Sequence, residues 1–169
     1  MFRNRAFTEF YPFVTVDATY FKVRETNRVN AKALMIAYAT NHFGIREVLG
    51  FGLYKNESRE IWTNFLSHLK KRGLKKVLMI TYDAHEGIVH AMARVFPEVP
   101  WQRCQFHFIR NILDKTAKKY QSSLQTELQE MFHSATMKKV RARRDAILAG
   151  YSDVAEEVMR CLEEGFESA

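Results

Sequence analysis

Two aspartates occur in sequence contexts where an acidic side chain is unexpected. Asp17 interrupts the apolar segment FVTVDA, and Asp83 directly follows the apolar segment VLMITY. An ionised carboxylate in a buried strand is strongly penalised unless a cation or a hydrogen-bond donor compensates it. Mg²⁺ prefers oxygen ligands and usually takes only one or two of them from protein side chains. The pair therefore indicates a divalent-metal site, provided that the two strands are neighbours.

Simpler roles remain open for both carboxylates. Asp83 could cap a helix that begins near His85, and Asp17 could accept a hydrogen bond from a neighbouring backbone N–H group. The strand order bears on the choice, because ligands of parallel α/β sheets gather at the carboxyl ends of the strands. Asp83 occupies such an end, which favours the metal site.

Hydrophobic patterning predicts three strands in the first third of the chain. The candidate strands are residues 11–21, 33–39 and 45–55, each with the alternating or continuous apolar pattern of a covered strand. A charged turn over residues 24–30 separates the first two strands, and residues 41–44 (NHFG) supply turn chemistry before the third. The three segments predict an antiparallel meander.

The apolar period then changes to that of helices. Residues 61–69 predict a helix capped by Asn56 or Ser58 and ended by Gly73. A fourth strand over residues 77–82, a helix over residues 88–96 and a short strand over residues 99–103 follow. The order β-β-β-α-β-α-β predicts a mixed α/β fold with the fourth strand parallel to the first. From residue 104 onward the pattern predicts a helical extension, with helices near residues 108–113, 124–132 and 154–162.

Composition and charge exclude several classes of protein. A content of 47% hydrophobic and 13% aromatic residues excludes a disordered chain. No apolar run approaches the roughly 20 residues of a membrane span, no apolar leader segment is present, and two cysteines are too few for a disulfide framework. These features predict a cytoplasmic protein. The net charge is +7; residues 153–169 carry −5, so residues 1–152 carry +12. That balance favours a nucleic-acid partner over a membrane, with a merely solvated basic surface as the alternative.

Several strings in this sequence resemble the bacterial mutator-type insertion-sequence transposases. The strings occur in the same order as in that family, from about residue 9 to at least residue 120: YPFVTVDATY at 11–20, REVLGF at 46–51, NES at 56–58, YDAHEG at 82–87 and WQRCQFH at 101–107. The resemblance implies an RNase H-like fold and an Asp-Asp-Glu catalytic triad whose first two acids are Asp17 and Asp83. It also implies Mg²⁺ as cofactor, with Mn²⁺ as a possible substitute.

The resemblance also implies a reaction, its partners and a location in the cell. Such an enzyme cuts and joins DNA ends during transposition, so its partners are transposon ends, target DNA and further transposase subunits. A bacterial protein of this kind associates with the nucleoid when it is bound to DNA. The predicted domains are a partial RNase H-like catalytic core over residues 9–103 and the start of an all-helical insertion over residues 104–169.

One part of the family pattern has no match in this chain. The family carries its third acid, a Glu, on a helix after the helical insertion, and the sequence reaches Ala169 without a matching motif. The expectation is a truncated insertion, a missing site-recognition region and no activity of this chain alone. Two alternatives stay open: a catalytically inactive remnant that binds DNA or a partner, and an RNase H-like nuclease.

The pair Cys104 and His107 matches a family motif between the second acid and the third. A structural zinc site needs four ligands, and no second close pair of cysteines or histidines exists. We therefore expect no zinc; the pair packs inside and orients the surroundings of the acids. His85 and Glu86 could reach the site; the alternative for both is a role at the start of the helix.

Basic and aromatic residues cluster around the fifth strand. Phosphate contacts require cations, and the candidates for DNA binding are Arg103, Arg110, Lys118 and Lys119; Arg141, Arg143 and Arg144 follow later. Binding is expected to be weak, independent of sequence and sensitive to salt. Core packing is favoured over base stacking for Trp101 and Phe106. Val154, Val158 and Leu162 are expected to form an exposed apolar surface that promotes self-association.

Overall fold

A five-stranded mixed sheet forms the first of two units in this computed structural model, which describes residues 4–26, 28–152 and 155–169. The units are Met1–Arg103 and Cys104–Ala169. The elements of the first unit are β1 (Phe13–Glu25), β2 (Arg28–Thr40), β3 (Arg46–Tyr54), α1 (Arg59–Lys71), β4 (Met79–Tyr82), α2 (Glu86–Val95) and β5 (Trp101–Arg103).

The strand order of the sheet is β3-β2-β1-β4-β5. The first three strands are antiparallel to one another, whereas β4 is parallel to β1 and β5 is parallel to β4. An antiparallel meander extended on one side by two parallel strands, each reached through a helix, is the topology of an RNase H-like core. The predicted fold class is therefore confirmed, including the direction of the fourth strand.

The hairpin between β1 and β2 is longer than the sequence pattern predicted. Residues 24–30 were expected to form a charged turn, but strand pairing continues from Arg24↔Val29 to Glu25↔Arg28. Thr26, with a positive φ of 50°, begins the tight turn, and Asn27 lies outside the described residues. The prediction was wrong because a polar strand that is exposed on both faces has the same composition as a loop.

One face of the sheet is packed against both helices. The side chains of Val14, Val16 and Met35 point into this core, where α1 contributes Trp62 and α2 contributes Met92. Ser58 caps α1 by accepting a hydrogen bond from the Ile61 N–H group at 3.3 Å, as predicted. Burying such side chains contributes roughly 1.5–3 kcal/mol each. The helices thereby hold β1 and β4 in fixed register.

Arg72 ties the segment before β1 to the end of α1. Its Nε donates to the Arg5 carbonyl at 2.9 Å, and its Nη1 donates to the Leu49 carbonyl at 2.7 Å. The guanidinium also lies 4.3 Å from the centre of the Phe7 ring, and the Phe7 N–H group donates to the Arg72 carbonyl at 2.8 Å. Burial is the main cause that lowers the pKa of Arg72 below its ordinary value.

The second unit consists of four helices around a core of its own. They are α3 (Gln105–Lys115), α4 (Lys118–Phe132), α5 (Met137–Tyr151) and α6 (Glu156–Phe166). Phe108 and Ile112 from α3, Leu128 from α4, Ile147 from α5 and Leu162 from α6 lie in this core. The sequence indicated only a basic run at residues 138–144, because the apolar residues of α5 are sparse.

The expected exposed apolar surface at the end of the chain is not observed. Val158 is 3% exposed and Leu162 is 0% exposed, since both belong to the core of the helical unit. Val154 lies outside the described residues. The expectation was wrong because amphipathic spacing does not identify the partner of an apolar face, which here is α3. Among the described helices none is both long and apolar enough to cross a membrane.

Candidate active site

Asp17 lies within β1, and Asp83 directly follows the neighbouring strand β4. In the parallel ladder between β1 and β4, Thr15 pairs with Thr81. Asp17 lies two residues after Thr15, and Asp83 lies two residues after Thr81. Side chains two residues apart project from the same face of a strand, so Asp17 belongs to the sheet face opposite to α1 and α2, and Asp83 follows the end of β4 in the same alternation. We call this surface the Asp17 face.

Each carboxylate accepts a hydrogen bond from the backbone that follows it. Asp17 Oδ1 accepts from the Ala18 N–H group at 2.7 Å, and Asp83 Oδ1 accepts from the Ala84 N–H group at 2.8 Å. The backbone bond considered for Asp17 is therefore present. The helix cap considered for Asp83 is not, because His85 caps α2 by accepting from the Gly87 N–H group.

The start of α2 is closely packed beside Asp83. A Cβ atom at Gly87 would lie 2.2 Å from the Glu57 carbonyl oxygen and 3.2 Å from Trp62 Cδ1. Glu86 pairs with Arg59 and lies 3.8 Å from His90. His85 and Glu86 thus act at the start of the helix, the second of the two roles considered for them. This packing fixes the chain that follows Asp83.

The donor set near the strand ends suits a hard cation only in part. Among residues 4–26, 28–152 and 155–169, no group of three or more His, Cys, Asp or Glu side chains is placed to hold a metal ion. Two carboxylates from neighbouring strands nevertheless match the one or two protein ligands that Mg²⁺ commonly takes. The residues therefore fit a partly protein-ligated Mg²⁺ ion.

Tyr82, the residue directly before Asp83, is held in place by ring stacking. Its ring stacks on Trp101 of the neighbouring strand, with ring centres 4.8 Å apart and planes inclined by 21°. Burial raises the pKa of Tyr82 to about 12. The phenol therefore stays protonated in the folded protein at pH values where a free tyrosine ionises.

We expect the stability of the sheet unit to fall as the pH rises from about 10 to about 12. In that interval the unfolded chain releases the Tyr82 proton and the folded chain retains it, so stability is lost as pH increases, by at most about 3 kcal/mol. Urea unfolding followed by tryptophan fluorescence measures the effect. A Tyr82→Phe variant should show a shallower decline. Identical pH profiles for the variant and the parent would refute this assignment.

Comparison with known proteins identifies the family of this chain. The family described as "Transposase, Mutator family" matches residues 1–169. The chain belongs to this family. This confirms the resemblance seen in the sequence strings.

Curated relatives of this Mutator-family chain come from several bacteria. The Staphylococcus aureus transposase for insertion sequence element IS256 in transposon Tn4001 is 38% identical over 99% of this chain and 44% of its own length. The Rhizobium meliloti ISRM5 transposase is 36% identical over 89% of this chain and 38% of its length. The Mycobacterium tuberculosis IS1081 transposase is 34% identical over 85% of this chain and 34% of its own length. The chain thus spans less than half the length of these relatives.

Solved structures overlap with this chain more loosely. The HTLV-2 integrase catalytic core domain in complex with magnesium, in its trimeric form, aligns with a TM-score of 0.39 and 14% identity, over 78% of this chain and 90% of that one. The Drosophila P element transposase strand transfer complex aligns with a TM-score of 0.35 and 12% identity, over 61% of this chain and 29% of that one. Values below 0.5 do not by themselves define a shared fold.

The cysteine–histidine pair of this Mutator-family chain lies at the start of the helical unit. Cys104 is the N-terminal cap residue of α3, makes no capping hydrogen bond through its side chain, and is a free, half-buried thiol. His107 is buried in the first turn of α3. The expected absence of zinc and the role of the pair near the acids stay predictions.

The later arginines of α5 are engaged by acids within the helical unit. Arg141 donates to Glu167 at 3.1 Å, Arg143 pairs with Glu130, and Arg144 donates to Asp145 at 2.7 Å. The four proposed DNA-binding residues occur elsewhere: Arg103 ends β5, and the helical unit contains Arg110, Lys118 and Lys119. Their DNA contacts stay a prediction.

The prediction of core packing was wrong for both aromatic residues. Trp101 is 39% exposed and Phe106 is 69% exposed. Phe106 lies on the outer side of α3, because Phe108 and Ile112 form the inward face of that helix. Trp101 lies on the edge strand β5, where only one neighbouring strand covers it. Hydrophobicity alone did not reveal these positions.

Charge in this Mutator-family chain is distributed unevenly between the two units. Residues 104–169 contain equal numbers of acidic and basic side chains, so the whole excess of +7 belongs to residues 1–103. The sequence interpretation missed three basic residues of the β1–β2 hairpin, Lys22, Arg24 and Arg28, because it assigned two of them to a turn. The signal that identifies them is the alternation of basic and apolar residues along β1.

Proposed function

We propose that this Mutator-family chain carries the core of a metal-dependent DNA transposase, in which Asp17 and Asp83 bind the cation. The supporting observation is that Thr15 and Thr81 pair between the parallel strands β1 and β4, and that each acid follows one of these two residues by two positions. Ligands of parallel sheets collect at these carboxyl ends. The substrates would be the DNA ends of an insertion sequence and its target DNA.

In this proposal the two acids bind and orient the cation, and neither of them transfers a proton. In each of them Oδ1 accepts a backbone N–H bond, which fixes the orientation of the carboxylate plane. Gly87 and Tyr82 hold the backbone on either side of Asp83 through close packing and ring stacking. When bound, Mg²⁺ activates the attacking water or 3′-hydroxyl and stabilises the leaving oxygen. Mn²⁺ could replace Mg²⁺, because it also accepts oxygen ligands.

A third acid is proposed to come from outside residues 1–169. No glutamate of this sequence stands in a motif that matches the family's third acid, and the relatives extend well beyond the matched region. DNA contacts are assigned to Arg103, Arg110, Lys118 and Lys119. Further transposase subunits are the proposed protein partners.

Metal binding tests this proposal without requiring turnover. We expect Mn²⁺ to broaden the backbone NMR signals around Asp17 and Asp83 at low metal concentration. Asp17→Asn or Asp83→Asn should remove this local broadening, because each substitution deletes one of two charged ligands. The matched control is Asp114→Asn, which removes an exposed aspartate of α3 and should change nothing. Broadening that survives both active-site substitutions would contradict the assignment.

A further inference from the structure

The β1–β2 hairpin projects beyond the rest of the sheet. Pairing of β2 with β3 begins at Ala33↔Tyr54, and pairing of β1 with β4 ends at Thr15↔Thr81. Five cross-strand pairs, from Phe21↔Lys32 to Glu25↔Arg28, therefore form a two-stranded segment. We call residues 21–25 and 28–32 the β-ribbon. None of its ten side chains is buried.

The β-ribbon exposes apolar side chains at its surface. Phe21 is 50% exposed and Val29 is 59% exposed. An isolated two-stranded hairpin is only marginally stable in water, so this segment depends on its base. There Tyr20 lies beside Glu57, and its pKa is raised first by burial and then by that negative charge. The base is paired with β3 at Ala33↔Tyr54, and the outer part stays available to a partner.

The charge of the β-ribbon is strongly one-sided. It carries four cations and one acid. Glu25 accepts from Lys32 at 2.6 Å and from Asn30 at 3.1 Å, so the acid is already engaged within the ribbon. Within the part of the chain that the structure describes, Lys22, Arg24 and Arg28 form no ion pair. Three uncompensated cations over about 17 Å of ribbon favour a polyanion.

A second copy of the chain would fit this surface poorly. Pairing two β-ribbons would bring six uncompensated cations together, and like charges across strands are destabilising. Duplex DNA instead offers phosphates at regular intervals, and its major groove admits a two-stranded β-ribbon. Charge complementarity therefore selects DNA as the partner.

We propose that the β-ribbon is a DNA-contacting arm of this protein. Lys22, Arg24 and Arg28 bind backbone phosphates, and the exposed ring of Phe21 packs against the DNA. This proposal rests on the proposed transposase function and adds a contact surface to it.

One face of the arm continues the surface that carries the candidate site. Asp17, Thr19 and Phe21 alternate along β1 and project from the Asp17 face. The distance along the strand from Asp17 to Phe21 is about 13 Å. Arg28, which pairs with Glu25, lies on this face as well, whereas Lys22 and Arg24 project from the opposite face. A DNA groove that takes up the β-ribbon would therefore meet cations on both of its faces. The arm would thereby hold the duplex along the strand that carries Asp17.

The experiment measures duplex affinity for the 169-residue chain at several salt concentrations, in EDTA, by fluorescence anisotropy. Each phosphate contact that is lost should lower the slope of log K against log salt by about one. In the double variant Arg24→Gln with Arg28→Gln, the magnitude of this slope should therefore fall by about two. The same variant should bind the duplex roughly 10- to 50-fold more weakly near 0.1 M salt. Phe21→Ala should weaken binding and leave the slope unchanged.

The matched control removes two cations from the opposite end of the same sheet. Lys75 and Lys76 are exposed and precede β4, and the double variant Lys75→Gln with Lys76→Gln should keep the parent slope and affinity. Both double variants should melt like the parent, because all four side chains are exposed.

Two outcomes would overturn the proposal that the β-ribbon contacts DNA. One is a ribbon variant that binds like the control variant; the other is a ribbon variant with altered oligomeric state and unchanged DNA affinity, which would make the ribbon a self-association element. Because EDTA removes the metal, this result is independent of whether Asp17 and Asp83 bind Mn²⁺. Failure of the metal site and failure of the arm are therefore distinguishable.

Discussion

The 169-residue chain alone should produce no joined DNA when it is incubated with donor and target DNA and Mg²⁺ or Mn²⁺. Asp17 and Asp83 are the proposed ligands of a cation, but phosphoryl displacement depends on both the attacking and the leaving oxygens being stabilised by positioned charge. Two acids leave this arrangement incomplete. The absence of a positioned catalytic group commonly lowers the rate by several orders of magnitude.

A strand-transfer assay with labelled donor ends measures this. Addition of a downstream segment that carries a helix-borne Glu should restore cleavage and joining. Asp17→Ala or Asp83→Ala should then remove the restored product, whereas Asp114→Ala should keep it. Robust joining by the chain alone, abolished by Asp17→Ala, would show that an acid within these residues completes the site.

The substitution Gly87→Ala should strongly destabilise the sheet unit. The added Cβ would lie 2.2 Å from the Glu57 carbonyl oxygen, which is backbone and cannot move alone. The start of α2 must shift, at a cost of about 2–3 kcal/mol for overpacking. Both tryptophans, Trp62 and Trp101, belong to this unit, so the fluorescence-detected melting temperature should fall by roughly 5–10 °C.

The same substitution at Gly150 is the matched control. Gly150 lies in α5, and a Cβ there would meet nothing within 4 Å. Alanine is favoured over glycine inside a helix by about 0.5–1 kcal/mol, so Gly150→Ala should stabilise the helical unit slightly, as followed by circular dichroism at 222 nm. A Gly87→Ala variant that melts like the parent would contradict the close packing at α2.

Long-range order in the sheet unit was predictable from local signals. The apolar runs around Val14 and Ile80 predict covered strands, and two intervening helices of ordinary length require right-handed parallel crossovers. Ser58 and Gly73 bracket α1 through ordinary capping chemistry. Because these signals agree with one another, the neighbouring positions of Asp17 and Asp83 follow from the sequence.

Surfaces and the helical unit were less predictable. Residues 24–30 contain no apolar run, so the pattern could not separate an exposed ribbon from a turn. Trp101 and Phe106 are apolar but lie outside the core, since hydrophobicity does not specify which face of an element is covered. Leu162 shows the converse case: its burial depends on α3, which lies about 50 residues earlier in the chain.

Arg72 determines how short the sheet unit can be made. The strands begin at Phe13, yet the guanidinium uses the Arg5 carbonyl and the Phe7 ring as partners. A version trimmed to the first strand would remove the Arg5 acceptor, and leaving a buried donor without its acceptor costs about 1–3 kcal/mol. A shortened form of this unit that keeps both partners therefore starts no later than residue 5. Any graft of this core into another protein must carry that leading segment with it.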